Sequence, residues 1–341
     1  MAGHFFEDFR VGQVLTHAVP RTLTEGDRSL YIALTGDRSP VASAASTAAH
    51  YGFDGFPLHD WLVFHTVFGK TVTDVSLNAV ANLGYAEVEF VQPVFPGDTL
   101  ASSSTVIGLK QNSSGKTGIV WVSTSGTNQR GEEVMRFKRW VMVNKRDPAS
   151  PAAEAVVPDV LDVVDPAPLL EARFPSKVTP LPTDRGPALG ALDAGSVIAH
   201  DGAMTIEEAD HMQATRLYQN TAKVHFDPSA SARFGKRLVY GGHIISLCSA
   251  LAYDGLQSAV GVLAMNAGTH AAPCFAGDVL RARSEVLETR ALRDDLGALR
   301  VRLVGIKNDG LDVPLRVDKD GRQRHHPSVV LDVDLWLAVR A

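Results

Sequence analysis

Hydrophobic and polar positions along the chain predict the same series of elements twice. In each half, a short strand leads into an amphipathic helix, and an irregular segment then leads into a long apolar helix. The expected helices are Glu25–Leu34 and Ile206–Tyr218, then about Trp61–Thr73 and His243–Tyr253. Thr24 and Thr205 stand where N-caps belong. The rest of each half has the β-branched and aromatic content of strands, so one helix and several antiparallel strands per half predict an α+β fold with a sheet curled around a helix.

Direct sequence similarity between the halves supports this duplication. Pro93–Leu100 (PVFPGDTL) matches Pro273–Leu280 (PCFAGDVL) at an offset of 180. Phe9–Val14 parallels Leu192–Val197 near the front, and Trp140–Val143 parallels Trp336–Val339 near the ends. Because the matches keep the same order, we infer two tandem copies of one structural unit.

The two copies are separated by a proline-rich stretch. We assign an N-terminal repeat to 1–147, a linker to 148–187 and a C-terminal repeat to 188–341. The linker contains half of the 18 prolines. Proline removes a backbone donor and restricts the chain, so this density predicts neither regular helix nor central strand, only a segment that wraps the surface.

Composition excludes several classes of protein. At 341 residues the chain is longer than one hydrophobic core usually holds, and 45% apolar with 21% charged residues is typical of a soluble globular protein. A net charge of -5 without a basic block argues against a nucleic-acid partner. Two cysteines exclude a disulfide scaffold. The N-terminus lacks the pattern of a signal peptide, and no apolar run approaches the ~18 residues of a membrane helix, so we expect a cytoplasmic protein.

Two segments at the same place in each half resemble a known signature. Asp37-Arg38-Ser39-Pro40 in the first half and Asn220 to His225 (NTAKVH) in the second resemble the Asp-x-Asn-Pro-x-His motif of the MaoC-like hydratase/dehydratase family. Phe234 to Gly241 (FGKRLVYG) is similar to the second element of that family, an aromatic residue followed by glycine. The resemblance covers nearly the whole chain outside the linker and implies a double hotdog fold.

The resemblance also implies a reaction, the reversible hydration of an enoyl-CoA. The full-length arrangement is similar to that of family members that hydrate mesaconyl-CoA (2-methylfumaryl-CoA) to β-methylmalyl-CoA. Three alternatives stay open: an R-specific hydratase for simple acyl chains such as crotonyl-CoA, a hotdog acyl-CoA thioesterase, and a non-catalytic acyl-CoA-binding module. Fold-level analogy does not choose among them.

Hydration of a double bond conjugated to a thioester has three chemical requirements. A base takes a proton from water, an acid protonates the α-carbon, and N–H groups hold the enolate oxygen. The resemblance implies that positions 220 and 225 supply the acid/base pair and that the Gly241 amide serves the thioester oxygen. His225 suits the base because imidazole titrates near neutrality.

The two halves are unequal at these positions. The first half has Ala42 at the position of His225 and Asp60 at the position of Gly241, so the active site is expected mainly in the second half, with the first half as the facing wall. Asn220 replaces the aspartate of the family pattern, and an amide cannot shuttle protons. Our hypothesis is that His225 performs both transfers while Asn220 positions the water; a less favoured alternative is that Asp37 acts across the pseudo-twofold axis.

Further residues are candidates for substrate binding. They are Asp37, His59, Arg216, Lys223, Tyr240, Lys236 and Arg237. Arg216 or Lys223 could meet a free carboxylate on the acyl group, and Lys236 with Arg237 could meet the phosphates of coenzyme A. The chain has no glycine-rich phosphate loop, dinucleotide fingerprint or zinc spacing, so we expect no metal and no cofactor beyond the coenzyme A of the substrate. The expected partner is the acyl-CoA thioester, and assembly into a homo-oligomer stays open.

Overall fold

Twelve strands and seven α-helices build the part of the chain that the computed structural model describes, which is residues 3–175, 177–179 and 185–341. The strands β1–β12 are, in order, Val14–Thr22, Ala79–Phe90, Thr99–Gln111, Thr117–Thr127, Glu133–Asn144, Val197–Thr205, Ala259–His270, Val279–Ala291, Leu296–Lys307, Arg316–Lys319, Arg322–His325 and Val329–Arg340. The helices α1–α7 are Glu25–Thr35, Pro40–Ser43, Ala45–His50, Asp60–Thr71, Ala167–Arg173, Glu208–Leu217 and Gly241–Ala252.

Ten of these strands form one continuous antiparallel sheet. Its order is β1-β3-β4-β5-β2-β7-β12-β9-β8-β6, while β10 and β11 form a separate hairpin. The first five strands belong to the N-terminal half and the last five to the C-terminal half. The halves join where β2 pairs with β7, for example Tyr85 opposite Gly268. The sheet therefore holds the two units edge to edge, with their long helices on the concave side.

The internal repeat is visible in the placement of the elements. Strands β3 and β8 both span 13 residues and lie 180 positions apart, and α4 and α7 begin at Asp60 and Gly241. In each half the long helix packs on the sheet of its own repeat, α4 against β3 and α7 against β8. The predicted α+β double hotdog, with a curled sheet around a long helix in each repeat, is confirmed.

The long helix of the N-terminal half approaches the other half closely. Every residue of α4 after Asp60 is buried, as expected for a helix that is apolar on all sides. A Cβ at Gly69 would lie 1.9 Å from the carbonyl oxygen of Tyr218 and 3.2 Å from the backbone nitrogen of Asn220. Gly69 thus lets α4 pack directly against the segment that carries Asn220.

The linker differs from the prediction. Residues Ala167–Arg173 form the short helix α5, although the proline density predicts none. Pro166 and Pro168 sit at the start of this helix, where the missing N–H would have no intrahelical partner, so they permit it. Leu169 and Leu170 are buried in a cluster with Trp336. The prediction of a purely surface-wrapping, irregular segment is therefore wrong here, while its residues 176 and 180–184 lie outside the described part.

One of the two predicted helix caps is present. The hydroxyl of Thr24 accepts the backbone N–H of Asp27, and the Asp27 carboxylate accepts the N–H of Thr24 in return. The corresponding helix α6 begins later, with Glu207 at the N-cap position and no side-chain cap. Thr205 is instead the last residue of β6, where it pairs with Val279. The local pattern assigns this residue to the helix cap, but strand pairing places it in the sheet. Within the described residues, no helix has the length and apolar character needed to cross a membrane.

Candidate active site

A cavity of about 660 Å³ is lined by residues of both repeats. The N-terminal repeat contributes residues of α4, β2 and β5, and the C-terminal repeat contributes the segment between α6 and α7 and the end of β7. Polar or aromatic residues in its wall are Phe68, Ser76, Asn82, Tyr85, Arg139, Asn144, Asn220, His225, Ser229, Ser231, Phe234, Tyr240 and His270. The cavity thus contains the three residues that the motif analysis favoured, with the first repeat as the facing wall.

His225 ends a short 3-10 turn, Lys223–His225, that follows Asn220. Its Nδ1 lies 2.8 Å from the carbonyl oxygen of Leu238. A carbonyl only accepts, so Nδ1 carries the proton and Nε2 of the neutral ring keeps a free lone pair. Burial lowers the pKa of His225 to about 4. The imidazole is therefore neutral at neutral pH and available as a base.

Asn220 is held through the oxygen of its side chain. Its Oδ1 accepts the backbone N–H of Ala222 at 2.9 Å, which leaves Nδ2 as the donating end. This contact sets the orientation of the amide, so Asn220 can present a donor to a bound group but cannot exchange protons with it.

Gly241 is the first residue of α7. Its N–H has no partner within the helix, and the positive end of the helix dipole favours an oxygen with developing negative charge at this point. A Cβ at this residue would lie 2.5 Å from Nε2 of His270. That imidazole nitrogen is held 3.2 Å from the hydroxyl of Tyr85. Only glycine therefore fits beside His270, and its backbone remains open to the cavity.

Tyr240 connects the segment between Asn220 and Gly241 to the first repeat. Its ring centroid lies 5.6 Å from that of His225, and its hydroxyl lies 3.4 Å from Nδ1 of His65. His65 in turn lies 3.1 Å from the hydroxyl of Ser246 through Nε2. Burial lowers the pKa of His65 and raises that of Tyr240, so this part of the wall is neutral at pH 7.

Several predicted substrate-binding residues lie away from this cavity. Arg216 and Lys223 are exposed and do not line it, so the structure does not support their expected contact with an acyl carboxylate there. Arg237 forms an ion pair with Glu208. The ammonium group of Lys236 lies 4.4 Å from the ring centroid of Phe275. Contacts of Lys236 and Arg237 with coenzyme A phosphates stay predictions.

The equivalent place in the first repeat holds a much smaller cavity of about 120 Å³. Asp37 and His59 lie in its wall, 3.6 Å apart, so they do not share a cavity with His225. Asp60, at the position of Gly241, pairs with Arg173 from the end of α5 and accepts the backbone N–H of Val262 at 2.8 Å. The end of the linker helix thus forms part of the wall of this cavity, and Asp60 anchors it.

Arg139 is a cavity residue that the sequence analysis did not single out. It lies on β5, where Phe137, Arg139 and Val141 alternate as buried positions. A charged residue in an inward-facing series of a strand is unusual, and this is the signal that could have found it. Within the described part of the chain, no group of three or more His, Cys, Asp or Glu side chains is arranged to hold a metal ion.

The fold and the site together define a MaoC-like double hotdog protein. The structure superimposes on that of a MaoC domain protein dehydratase from Chloroflexus aurantiacus with a TM-score of 0.93, 47% identity and coverage of 99% of this chain and 97% of that chain. A Mycobacterium tuberculosis protein described as a double hotdog fold matches with a TM-score of 0.78 and 27% identity, covering 100% of this chain and 99% of that one.

Sequence comparison identifies the family to which the chain belongs within this class of proteins. The model of the mesaconyl-CoA hydratase family matches residues 1–241. The chain is 48% identical to the mesaconyl-CoA hydratase of Cereibacter sphaeroides, over 99% of this chain and 98% of that protein. It is 49% identical to the β-methylmalyl-CoA dehydratase of Chloroflexus aurantiacus, over 97% and 96% of the two chains. The chain belongs to the mesaconyl-CoA hydratase family.

Proposed function

We propose that this chain catalyses the reversible hydration of mesaconyl-CoA to β-methylmalyl-CoA, the reaction that the names of its two full-length relatives describe. The observation that carries the proposal is one cavity in which the lone pair of His225 Nε2 and the open backbone of Gly241 come together. A base for water and a donor for the thioester oxygen are two of the three features that hydration of an enoyl thioester needs, and the third is the acid that protonates the α-carbon.

The proposed mechanism uses one imidazole for both proton transfers. The Gly241 N–H binds the thioester carbonyl oxygen and stabilises the enolate that develops there. Asn220 orients a water through Nδ2, and His225 Nε2 removes its proton as the oxygen bonds to the β-carbon. The low pKa of His225 makes the resulting imidazolium a strong acid. It returns the same proton to the α-carbon, so that one water has been added across the double bond.

No bound cofactor is needed in this scheme, because the coenzyme A arrives with the substrate and both proton transfers use a side chain of this protein. Cytoplasmic location and homo-oligomeric assembly stay predictions.

The test is the loss of enoyl-thioester absorbance when purified protein is mixed with mesaconyl-CoA, and separately with crotonyl-CoA. We expect hydration of mesaconyl-CoA at the higher kcat/KM. Hydration of crotonyl-CoA alone would identify a hydratase for simple chains. Release of free thiol, detected with a thiol reagent, would identify a thioesterase, and binding without any absorbance change would identify a binding module.

A further inference from the structure

A buried guanidinium lies in the same cavity as His225. Arg139 is 0% exposed and belongs to β5 of the first repeat, directly opposite Tyr85 of β2. Of the described residues that line the cavity, Arg139 is the one Lys or Arg, and none is Asp or Glu. The strand equivalence that aligns Trp140 with Trp336 places Leu335 at the corresponding position of the second repeat, in the wall of the smaller cavity. That cavity contains Arg173, but there the guanidinium is paired with Asp60.

The protein provides this guanidinium with neutral partners. Nη2 donates to the hydroxyl of Thr71 at 2.7 Å, and the hydroxyl of Ser76 lies 3.4 Å from both Nη atoms. The group also lies 4.4 Å from the ring centroid of Phe68, while its Nε has no partner among the described residues. Burial lowers the pKa of Arg139 only to about 10, so the group is charged at pH 7. A buried charge is normally paired, and a pairing group from the described residues is missing here.

A second donor in the same wall also has no partner. Asn82 lies on β2, and both the nitrogen and the oxygen of its amide are buried without a hydrogen bond among the described residues. It lines the cavity together with Arg139. Buried amide groups are nearly always hydrogen-bonded, so this wall is suited to a polar ligand group with at least two acceptor atoms.

We propose that Arg139, supported by Asn82, binds the free carboxylate of the acyl group and thereby selects dicarboxylic enoyl-CoA substrates over simple ones. This inference rests on the proposed function and adds to it the residue that determines its specificity. A guanidinium forms a fork of parallel hydrogen bonds with a carboxylate, at ~2.7–2.9 Å, which fixes position as well as charge.

The chemistry of the substrate requires such a group close to the base. In mesaconyl-CoA the free carboxylate is bonded to the β-carbon, the carbon to which water adds. A residue that holds this carboxylate therefore lies within one small acyl group of the base that activates water. Arg139 lines the same cavity as His225. A chain of ring contacts connects the two residues, because Arg139 packs on Phe68, the Phe68 ring centroid is 6.0 Å from that of Tyr240, and Tyr240 packs on His225. Pairing with Arg139 also reduces the negative charge beside the carbon that the water oxygen attacks.

The test compares substrates in the variants Arg139→Met, Arg139→Lys and Arg136→Met. For Arg139→Met we expect kcat/KM for mesaconyl-CoA to fall by about 100-fold or more, as for removal of one partner of a buried charge pair. Its kcat/KM for crotonyl-CoA should stay within about threefold of the wild type. Arg139→Lys keeps the charge without the fork and should lie between the two. Arg136 lies three residues earlier on the same strand with its side chain half exposed and serves as the control, with no change expected.

A binding experiment on the wild type keeps the proposal testable if the variants fold poorly. Succinyl-CoA and butyryl-CoA are saturated acyl-CoAs of equal chain length, and one of them has the free carboxylate. We expect succinyl-CoA to bind at least about tenfold more tightly by calorimetry, with the difference absent in Arg139→Met.

The outcomes separate the two proposals. Equal affinity for the two saturated acyl-CoAs, or full mesaconyl-CoA activity in Arg139→Met, would overturn the role of Arg139 and leave the proposed function intact. A wild type that binds succinyl-CoA preferentially but does not hydrate mesaconyl-CoA would overturn the proposed function and leave the carboxylate site intact.

Discussion

Gly241→Ala tests the proposed oxyanion donor with the smallest available change. The added Cβ would lie 2.5, 2.6 and 2.8 Å from three ring atoms of His270, where ordinary contacts are 3.4–4 Å. The overlap of about 1 Å cannot be absorbed freely, because the hydroxyl of Tyr85 holds His270 and the first turn of α7 is buried. Either the imidazole moves into the acyl cavity or the first turn of α7 moves away from it.

Either movement misplaces the donor relative to the thioester oxygen. Loss of one donor of this kind costs about 10²–10³ in kcat, roughly 3–4 kcal/mol of transition-state stabilisation. Overpacking should lower the free energy of unfolding by about 1–3 kcal/mol in addition. We expect kcat for mesaconyl-CoA to fall by about 100-fold or more while KM changes little, since the contact strengthens in the transition state.

The assay is steady-state kinetics on mesaconyl-CoA together with thermal unfolding. Gly190→Ala is the matched control, because a Cβ there meets no atom within 4 Å, and it should leave both measurements near those of the wild type. A Gly241→Ala protein that keeps kcat within threefold of the wild type would refute the assignment of this amide to the thioester oxygen.

Four further predictions concern other parts of the site and fold. The pKa of His225 is about 4 in the folded chain, whereas the ordinary value is 6.5. In a pH profile, kcat/KM should therefore fall on the acid side only near pH 4–5. A fall near pH 6.5 would contradict a neutral imidazole at pH 7. Because the unfolded chain binds this proton more tightly, the contribution of His225 to the free energy of unfolding is full above about pH 6.5 and is lost as the pH falls towards 4. Denaturant unfolding at several pH values measures this loss. Leu170→Ala in the linker helix should lower the free energy of unfolding, measured with denaturant, by about 2–5 kcal/mol, because Leu170 is buried. The control Glu171→Ala changes an exposed neighbour and should alter it by no more than ~0.5 kcal/mol. Equal values for the two variants would place the helix outside the core. Asn220→Asp should lower kcat/KM for mesaconyl-CoA by about 10–100-fold, because a carboxylate at position 220 and the free carboxylate of the acyl group, at ~6 Å, repel by about 3 kcal/mol at an effective dielectric constant of 20. Unchanged or faster turnover would contradict this repulsion.

Much of the fold could be predicted because the chain contains a repeat, so that an element expected in one half is also expected at the matching place in the other half. The helix expected at Glu25–Leu34 is α1, Glu25–Thr35, and the offset of 180 between the two similar segments is also the offset between β3 and β8. The cap at Thr205 could not be predicted, because a ladder partner 74 residues further along the chain, Val279, decides where β6 ends. The helix α5 depends likewise on burial against distant strands rather than on its own proline-rich sequence.

The candidate site could be predicted where a local motif carries it. Asn220, His225 and Gly241 are candidates because their segments resemble the motif of the MaoC-like family, and the three residues line one cavity. Arg139 belongs to the other repeat, and no local pattern connects it with His225, because the two residues come together through the pairing of β2 with β7 and the packing of α4 against the second half. The same limit explains why Arg216 and Lys223, near the motif in sequence, are poor candidates in the structure.

The most direct test of the account is the rate at which His225→Gln hydrates mesaconyl-CoA, measured by enoyl-thioester absorbance on protein shown to be folded. Glutamine can retain the contact with the carbonyl oxygen of Leu238 but cannot take a proton from water. We expect kcat to fall by about 10²–10⁴, the usual contribution of general acid–base catalysis. Wild-type activity in this variant would contradict the account, because no proton transfer could then depend on His225.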